Sequence, residues 1–374
     1  MRRPQSTLLE ELPLWVSIAT VILFLLFGDQ WLADLSNPLW LACLFVWLVG
    51  VVLWGAFAVV RHADCLAHTL GEPYGTLILT VSVISIEVAM ISAVMLTGGE
   101  NPTLARDTMY AVIMIVMNGM VGIMLLLGGI RYHEQQFNLL GAKAFFSLII
   151  PLSVLGLVLP SFTESTIDAT LTSGQTITLI ALTIALYVVF LGVQTMRHRA
   201  YFLAPEDERV ENDEAIEHDH LVMRVRPVGY HVACLVAYLV PIVLLAKKLA
   251  VPLEYSISVA GAPAALGGVL VAAIVLSPEG LAAVKAALQN RLQRSVNLSL
   301  GSVVATIGLT IPAVLIIGLV LDTPVVLGLD AANVWMLLLT LGVGVLTFGS
   351  SRTNVLQGAV HLVLFVAYIV LIFD

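Results

Sequence analysis

Few residues in this chain carry a charge, and that scarcity excludes more than any single motif does. Asp, Glu, Lys and Arg make up only 11% of 374 residues, against 59% hydrophobic, where a soluble domain has about a quarter charged. Mean hydropathy is +1.00, and the apolar runs are continuous, not the alternating segments of about ten residues that build a β-barrel. The reading is therefore an all-α polytopic membrane protein whose first partner is the lipid bilayer. Cysteine is also scarce. Cys43, Cys65 and Cys234 stand in or beside apolar runs with no CxxC pair, so they read as small core residues and not as disulfides or metal ligands. No GxxxxGK[ST] occurs, which excludes an ATP-driven engine. No GxSxG or HExxH occurs either, since His133-Glu134-Gln135-Gln136 lacks the second histidine, and this argues against an enzyme. There is no TVGYG-like filter and no EF-hand pattern. The net charge of -8 gives no footing for nucleic acid, and nothing calls for a cofactor.

What is present is a series of apolar runs. Eleven spans are expected, at about 14–34, 38–60, 73–97, 107–130, 142–160, 172–196, 229–246, 262–288, 295–320, 331–349 and 354–373. Met1-Arg2-Arg3 resembles a signal n-region, but no small-residue cleavage site follows, so the first run reads as an uncleaved span. Placing the N-terminus inside leaves only Arg106, Lys247 and Lys248 of 17 Lys and Arg outside, as the positive-inside rule requires. That orientation puts the N-terminus in the cytoplasm and Asp374 outside, in a cytoplasmic membrane. The chain then divides into a first helix (1–37), a five-helix set (38–196), a polar cytoplasmic segment (197–228) and a second five-helix set (229–374). An odd number of helices per set makes the second an inverted copy of the first, an architecture of secondary transporters.

Two carboxylates interrupt the apolar runs. Glu87 stands near the middle of the third span and Glu279 near the middle of the eighth, on oppositely directed helices. An ionisable group at bilayer depth costs several kcal/mol and normally faces a partner, an ion or water. Pro278 precedes Glu279 and removes the hydrogen bond of the Ile274 carbonyl. A free carbonyl beside a carboxylate suits a hard cation; the proline alone reads equally as a packing kink, but with Glu279 adjacent the cation site is the favoured reading. Glu87 has its own bland reading, as a protonated carboxyl bonded to a neighbouring helix. Thr76 and Thr80 lie on the Glu87 helix and are placed to line an approach. In the helix after each carboxylate, Asn118-Gly119 with Gly122 and Gly301-Ser302 with Thr306 and Gly308 offer small residues and oxygens. Ser302, Thr306 and Thr310 share a face. Asn118 reads as an oxygen ligand or as interhelical glue; for the threonines glue is the stronger reading.

The polar segment is acidic from Glu206 to Asp219, with Asp207, Glu208, Asp213 and Glu214 near its single Arg209 and with His218 and His220 at its end. It reads as a solvated linker, or as a cytosolic cation or pH sensor with histidines that titrate near neutrality.

Three stretches then carry a resemblance: GEPYGTLILTVSVISIEVAMI (71–91), NPTLARDTMYAVIMIVMNGMVGIMLLLGG (101–129) and SPEGLAAVKAALQNRLQRSVNLSLGSVVATIGLTIP (277–312). With them the chain resembles the calcium/proton exchanger family of the calcium/cation antiporter superfamily, most of all its bacterial branch. The resemblance implies an extra first helix, two inverted five-helix repeats and an acidic connector. It also implies that Glu87 and Glu279 bind cation and protons in turn. Where many members carry Gly-Asn-Ala-Thr-Glu and Gly-Asn-Ala-Ala-Glu, this chain has Val83-Ile84-Ser85-Ile86-Glu87 and Leu276-Ser277-Pro278-Glu279. The family glutamine after Gly-Ser is Ala305, while Gly301 and Ser302 match. Two amide ligands are thus replaced, with Ser277 standing in one of the places. The expectation is Ca²⁺/H⁺ exchange by alternating access, with Na⁺/H⁺ or K⁺/H⁺ exchange as the alternative on the same scaffold. A channel or another non-transporting membrane protein is the contrasting class.

Overall fold

The computed structural model describes residues 10–70, 78, 81, 82, 84–88, 91, 92, 103–166, 169–205, 226–263 and 265–373. It is an all-α bundle of eleven helices. We number them α1 (Leu12–Ala33), α2 (Pro38–Leu70), α3 (helical at 84–88), α4 (Ala105–Tyr132), α5 (Leu139–Phe162), α6 (Ser173–Arg197), α7 (Val228–Val259), α8 (Ala265–Leu288), α9 (Leu292–Leu321), α10 (Ala331–Thr347) and α11 (Val355–Leu371). Among the described residues, eight helices are long and apolar enough to cross a membrane. The last two have 17 residues each, about 25 Å at 1.5 Å per residue, near the lower limit for a span.

Local chemistry starts and stops these helices. Thr172 and Gln175 form a reciprocal cap at the start of α6, and Asn354 and Gln357 do the same for α11. Asp330 and Asn138 cap α10 and α5. Each such cap satisfies amide donors that the first turn leaves open. Two expected boundaries move: the second span, expected to end at 60, continues as α2 to Leu70, and the seventh overruns by more. The seventh span was expected to end at 246, with Lys247 and Lys248 outside it, but α7 continues as helix to Val259 and carries Pro241 and Pro252 inside it. The lysines fit because long side chains reach out from a helix flank: Lys248 Nζ lies 3.1 Å from the exposed Asp29 carboxylate.

Large apolar side chains such as Val320 and Leu346 stay exposed. In a bilayer this is the expected surface, since lipid tails are as apolar as leucine and association rests on close packing. Gly268 lets α8 approach the α4 backbone, because a Cβ there would lie 2.8 Å from Thr108 N. Gly358 on α11 likewise sits directly against the backbone at Leu126 of α4. An aromatic cluster clips α1 to α2, with Phe24 packing edge-on against Trp31 and Trp47. A short antiparallel pair, Gln135↔Thr353 and Gln136↔Arg352, ties the α4–α5 loop to the α10–α11 loop.

A π-helical turn interrupts four helices, at Ile115–Met120 in α4, Val154–Val158 in α5, Val193–Arg197 in α6 and Thr306–Thr310 in α9. Such turns hold an extra residue, re-aim the side chains around them and are frequent at functional sites. Those in α4 and α9 fall in the two helices that follow the carboxylates, and they contain Asn118, Thr306 and Thr310.

Candidate cation and proton site

Glu87 is 1% exposed and Glu279 is fully buried. α8 carries Glu279 without a break through Pro278. Proline has no N–H, so the Ile274 carbonyl loses its helical donor there. Ser277, in contrast, turns back on its own helix and donates to the Ala273 carbonyl, a bond that serves α8 and not an ion.

α9 joins the two acids. Ser302 Oγ donates to Glu279 Oε2 at 2.8 Å, and Thr306 Oγ1 donates to Glu87 Oε2 at 2.9 Å. Ser302 and Thr306 are one turn apart, about 5–6 Å between Cβ atoms, so one helix face presents neighbouring hydroxyls to both carboxylates. The second oxygen of each acid is different. Glu87 Oε1 and Glu279 Oε1 are buried with no hydrogen-bond partner among the described residues, and the Thr310 hydroxyl, one turn beyond Thr306, lies toward the Glu87 carboxylate. A buried oxygen left open is costly. These two, each on an acid whose other oxygen a hydroxyl already holds, form a set of acceptors suited to a cation or to protons. Thr306 thus makes an interhelical contact, as its sequence pattern favours, and its partner there is the Glu87 carboxylate.

Asn118 makes its hydrogen bonds with other partners. Its amide donates to Thr340 Oγ1 at 2.9 Å, and its oxygen faces His361 Nδ1 at 3.3 Å, while His361 Nε2 meets Thr347 Oγ1 at 2.9 Å. This buried chain links α4, α10 and α11, and among the described residues its hydrogen bonds are not with Glu87 or Glu279. The sequence reading passed over His361, although it obeys the rule that singled out the glutamates: an ionisable residue inside an apolar run. The acidic segment, with Glu206, Asp207, Glu208, Asp213, Glu214 and His218, lies outside the described residues, as do Thr76 and Thr80.

Comparison with known proteins agrees with this architecture. The sodium/calcium exchanger protein family matches residues 40–196 and 230–373. The sodium-potassium/proton antiporter ChaA of Escherichia coli strain K12 is 40% identical over 356 residues, 95% of this chain and 94% of ChaA. Among solved structures, native YfkE superposes with a TM-score of 0.69 at 16% identity, covering 96% of this chain and 98% of YfkE. The H⁺/Ca²⁺ exchanger CAX superposes at 0.68 with 14% identity, covering 96% and 88%. At such identities the structural likeness establishes the fold.

Proposed function

We propose, for a chain that belongs to the sodium/calcium exchanger protein family, that it exchanges cations for protons at Glu87 and Glu279. The observation that carries this is a pair of buried carboxylate oxygens, Glu87 Oε1 and Glu279 Oε1, that have no hydrogen-bond partner among the described residues. Ionised, the two acids offer two negative charges and open oxygen ligands in a low-dielectric site, where a bound cation neutralises them. Protonated, they are neutral by themselves. Ser302 and Thr306 hold the far oxygen of each acid in place, so the free oxygens are oriented before the ion arrives. Cation and protons compete for the same oxygens, so occupancy is exclusive. Returning the site empty of both would carry bare charge through the bilayer at high cost. That exclusivity, with alternating access between two inverted sets of five helices, is sufficient for coupled antiport. The cytosolic cation leaves the cell as protons enter, the N-terminus being cytoplasmic and the C-terminus outside.

Ca²⁺ is the ion whose charge a pair of carboxylates balances, and oxygen ligands suit it. A second reading, Na⁺ and K⁺ in exchange for protons, is favoured by two observations. The side chains that hydrogen-bond the acids among the described residues are the hydroxyls of Ser302 and Thr306. ChaA, 40% identical over nearly the whole length, is named a sodium-potassium/proton antiporter. Everted or reconstituted vesicles with an imposed pH gradient test both. Addition of Ca²⁺, Na⁺ or K⁺ separately should dissipate the gradient for each transported ion. A protein that dissipates it with none of the three refutes exchange; one that passes the ion with no proton movement is a channel.

A further inference from the structure

A second cluster of chemistry-bearing residues lies far along the chain from the two glutamates. On α7, Tyr230, Cys234 and Tyr238 are spaced four apart and share one face, with His231 beside them. They meet Glu11 at the start of α1 and Arg61-His62 near the end of α2. Glu11 is 7% exposed, His62 2%, His231 5% and Cys234 8%. Tyr230 and Tyr238 donate to Glu11 Oε1 and Oε2 at 2.8 and 2.9 Å, and Arg61 lies 2.8 Å from Oε2. His62 bridges two partners: its Nε2 is 3.2 Å from Glu11 Oε2 and its Nδ1 is 3.0 Å from His231 Nδ1. A carboxylate oxygen of Glu11, a ring nitrogen of His62 and the Cys234 sulfur all lie within 4.8 Å of one another.

We propose that Glu11, His62 and Cys234 form a binding site for a divalent transition metal of the zinc class, separate from the transport site. The donor set fits. Imidazole and thiolate select borderline and soft metals, while Ca²⁺, Na⁺ and K⁺ take all-oxygen ligands. The 3.2 Å between His62 Nε2 and Glu11 Oε2 is close to the roughly 3.4 Å that separates neighbouring ligands of a tetrahedral zinc with bonds of 2.0–2.2 Å. His231 completes the design. It contacts His62 at the nitrogen opposite the proposed ligand atom, and in metal sites that second contact fixes the tautomer and ring orientation. Three protein ligands leave a fourth position for water.

Arg61 is the group that now supplies positive charge to Glu11. Its side chain is 43% exposed, but it also donates to the Glu10 carbonyl and lies 3.3 Å from His62 Nε2, so it competes with a metal at both ligand atoms and must turn to solvent before one binds. The three ligands come from three helices, and α2 and α7 open the two five-helix sets. A bound metal therefore pins α1 to both sets at one end of the bundle. Sequence spacing carried no sign of this site, because its ligands are separated by 51 and 172 residues.

The test is equilibrium dialysis of the purified full-length protein against Zn²⁺, read by elemental analysis, with Co²⁺ as the spectroscopic probe. We expect one Zn²⁺ per chain retained in Glu279→Gln, tenfold or greater loss of affinity in Cys234→Ser, tighter binding in Arg61→Gln and no change in Cys65→Ser. The Co²⁺ complex of the wild-type protein should show thiolate-to-metal charge-transfer absorption, a readout that does not depend on any variant folding. Absence of stoichiometric Zn²⁺, Co²⁺ spectra without thiolate character, wild-type affinity in Cys234→Ser, or loss of the metal in Glu279→Gln would each overturn the proposal.

Discussion

At the scale of single residues, the two glutamates and their hydroxyl donors make unlike demands on a substitution. Glu279→Gln keeps size and a hydrogen-bonding oxygen but removes the charge and the exchangeable proton. It should insert and melt like the wild type, yet abolish cation-driven proton movement, and Glu87→Gln should match it. Glu279→Asp, which keeps the carboxylate, should retain more exchange than Glu279→Gln. Exchange at the wild-type rate by Glu279→Gln in vesicles at matched protein levels would refute the assignment. Ser302→Ala removes a hydrogen bond to an acid that is charged in the cation-loaded state, worth about 1.5–3 kcal/mol. Its apparent cation affinity should fall by roughly 10- to 150-fold with expression intact, since 1.4 kcal/mol is a factor of ten. Asn118 should behave differently. Its partners are Thr340 and His361, so Asn118→Ala leaves buried polar groups orphaned and should lower thermal stability by about 1–3 kcal/mol without changing the ranking of cations. A changed cation ranking in a stable Asn118 variant would place its amide among the ion's ligands.

At the scale of elements, helix irregularities bring the site together. Pro278 removes a backbone hydrogen bond inside α8 one residue before Glu279, and the π turn of α9 begins at Thr306, which holds Glu87. Pro278→Ala returns an N–H to the Ile274 carbonyl. The expected outcome is a helix at least as stable and a weaker cation affinity, measured as a higher half-saturating cation concentration in the vesicle assay. Unchanged affinity would mean that the carbonyl takes no part and the proline only shapes packing. Caps are a separate matter. Asp330 accepts from the Asn333 backbone and side chain at the start of α10. Partial burial alone would raise its carboxyl, but the Asn333 hydrogen bonds and the Arg106 charge outweigh burial and hold it below its ordinary 3.8. A depressed acid stabilises the fold above the unfolded value and loses that contribution as pH falls through the folded one. Asp330→Ala should therefore lower the melting temperature by the equivalent of about 0.5–2 kcal/mol at neutral pH, and the difference from wild type should vanish in strong acid. A difference that persists unchanged there would show that the side chain acts through packing.

At the scale of the whole molecule, the claims concern sidedness and the acidic connector. A cysteine placed at position 212 in a background without the other cysteines should react with impermeant reagent only from the cytoplasmic side. Reaction from the outside alone would invert the topology. Deletion of residues 206–219 should leave exchange active while shifting its cation or pH dependence. Complete loss of exchange in a correctly inserted deletion would give the segment a central role.

How much of this was legible in the sequence follows from what each feature depends on. Eleven helices, their approximate ends and the two acids inside them are properties of contiguous stretches. Hydropathy and the cost of a buried charge act on such stretches directly, so Glu87 and Glu279 stand out before any fold is known. The helix α7 overran its expected end because apolar sequence on both sides of Lys247 and Lys248 keeps it helical while the lysines reach outward. Which oxygens meet was not legible. Thr306 and Asn118 occupy similar places in two similar helices, yet Thr306 bonds Glu87 while Asn118 turns to α10 and α11. The meeting of Glu11, His62 and Cys234 was equally hidden, and their convergence corrects the plain core reading of Cys234 only as far as zinc binding bears it out. Contacts of this kind depend on helix rotation and crossing, set by glycine contacts and π turns summed over the bundle. No local pattern encodes that rotation, so only the tertiary structure decides it.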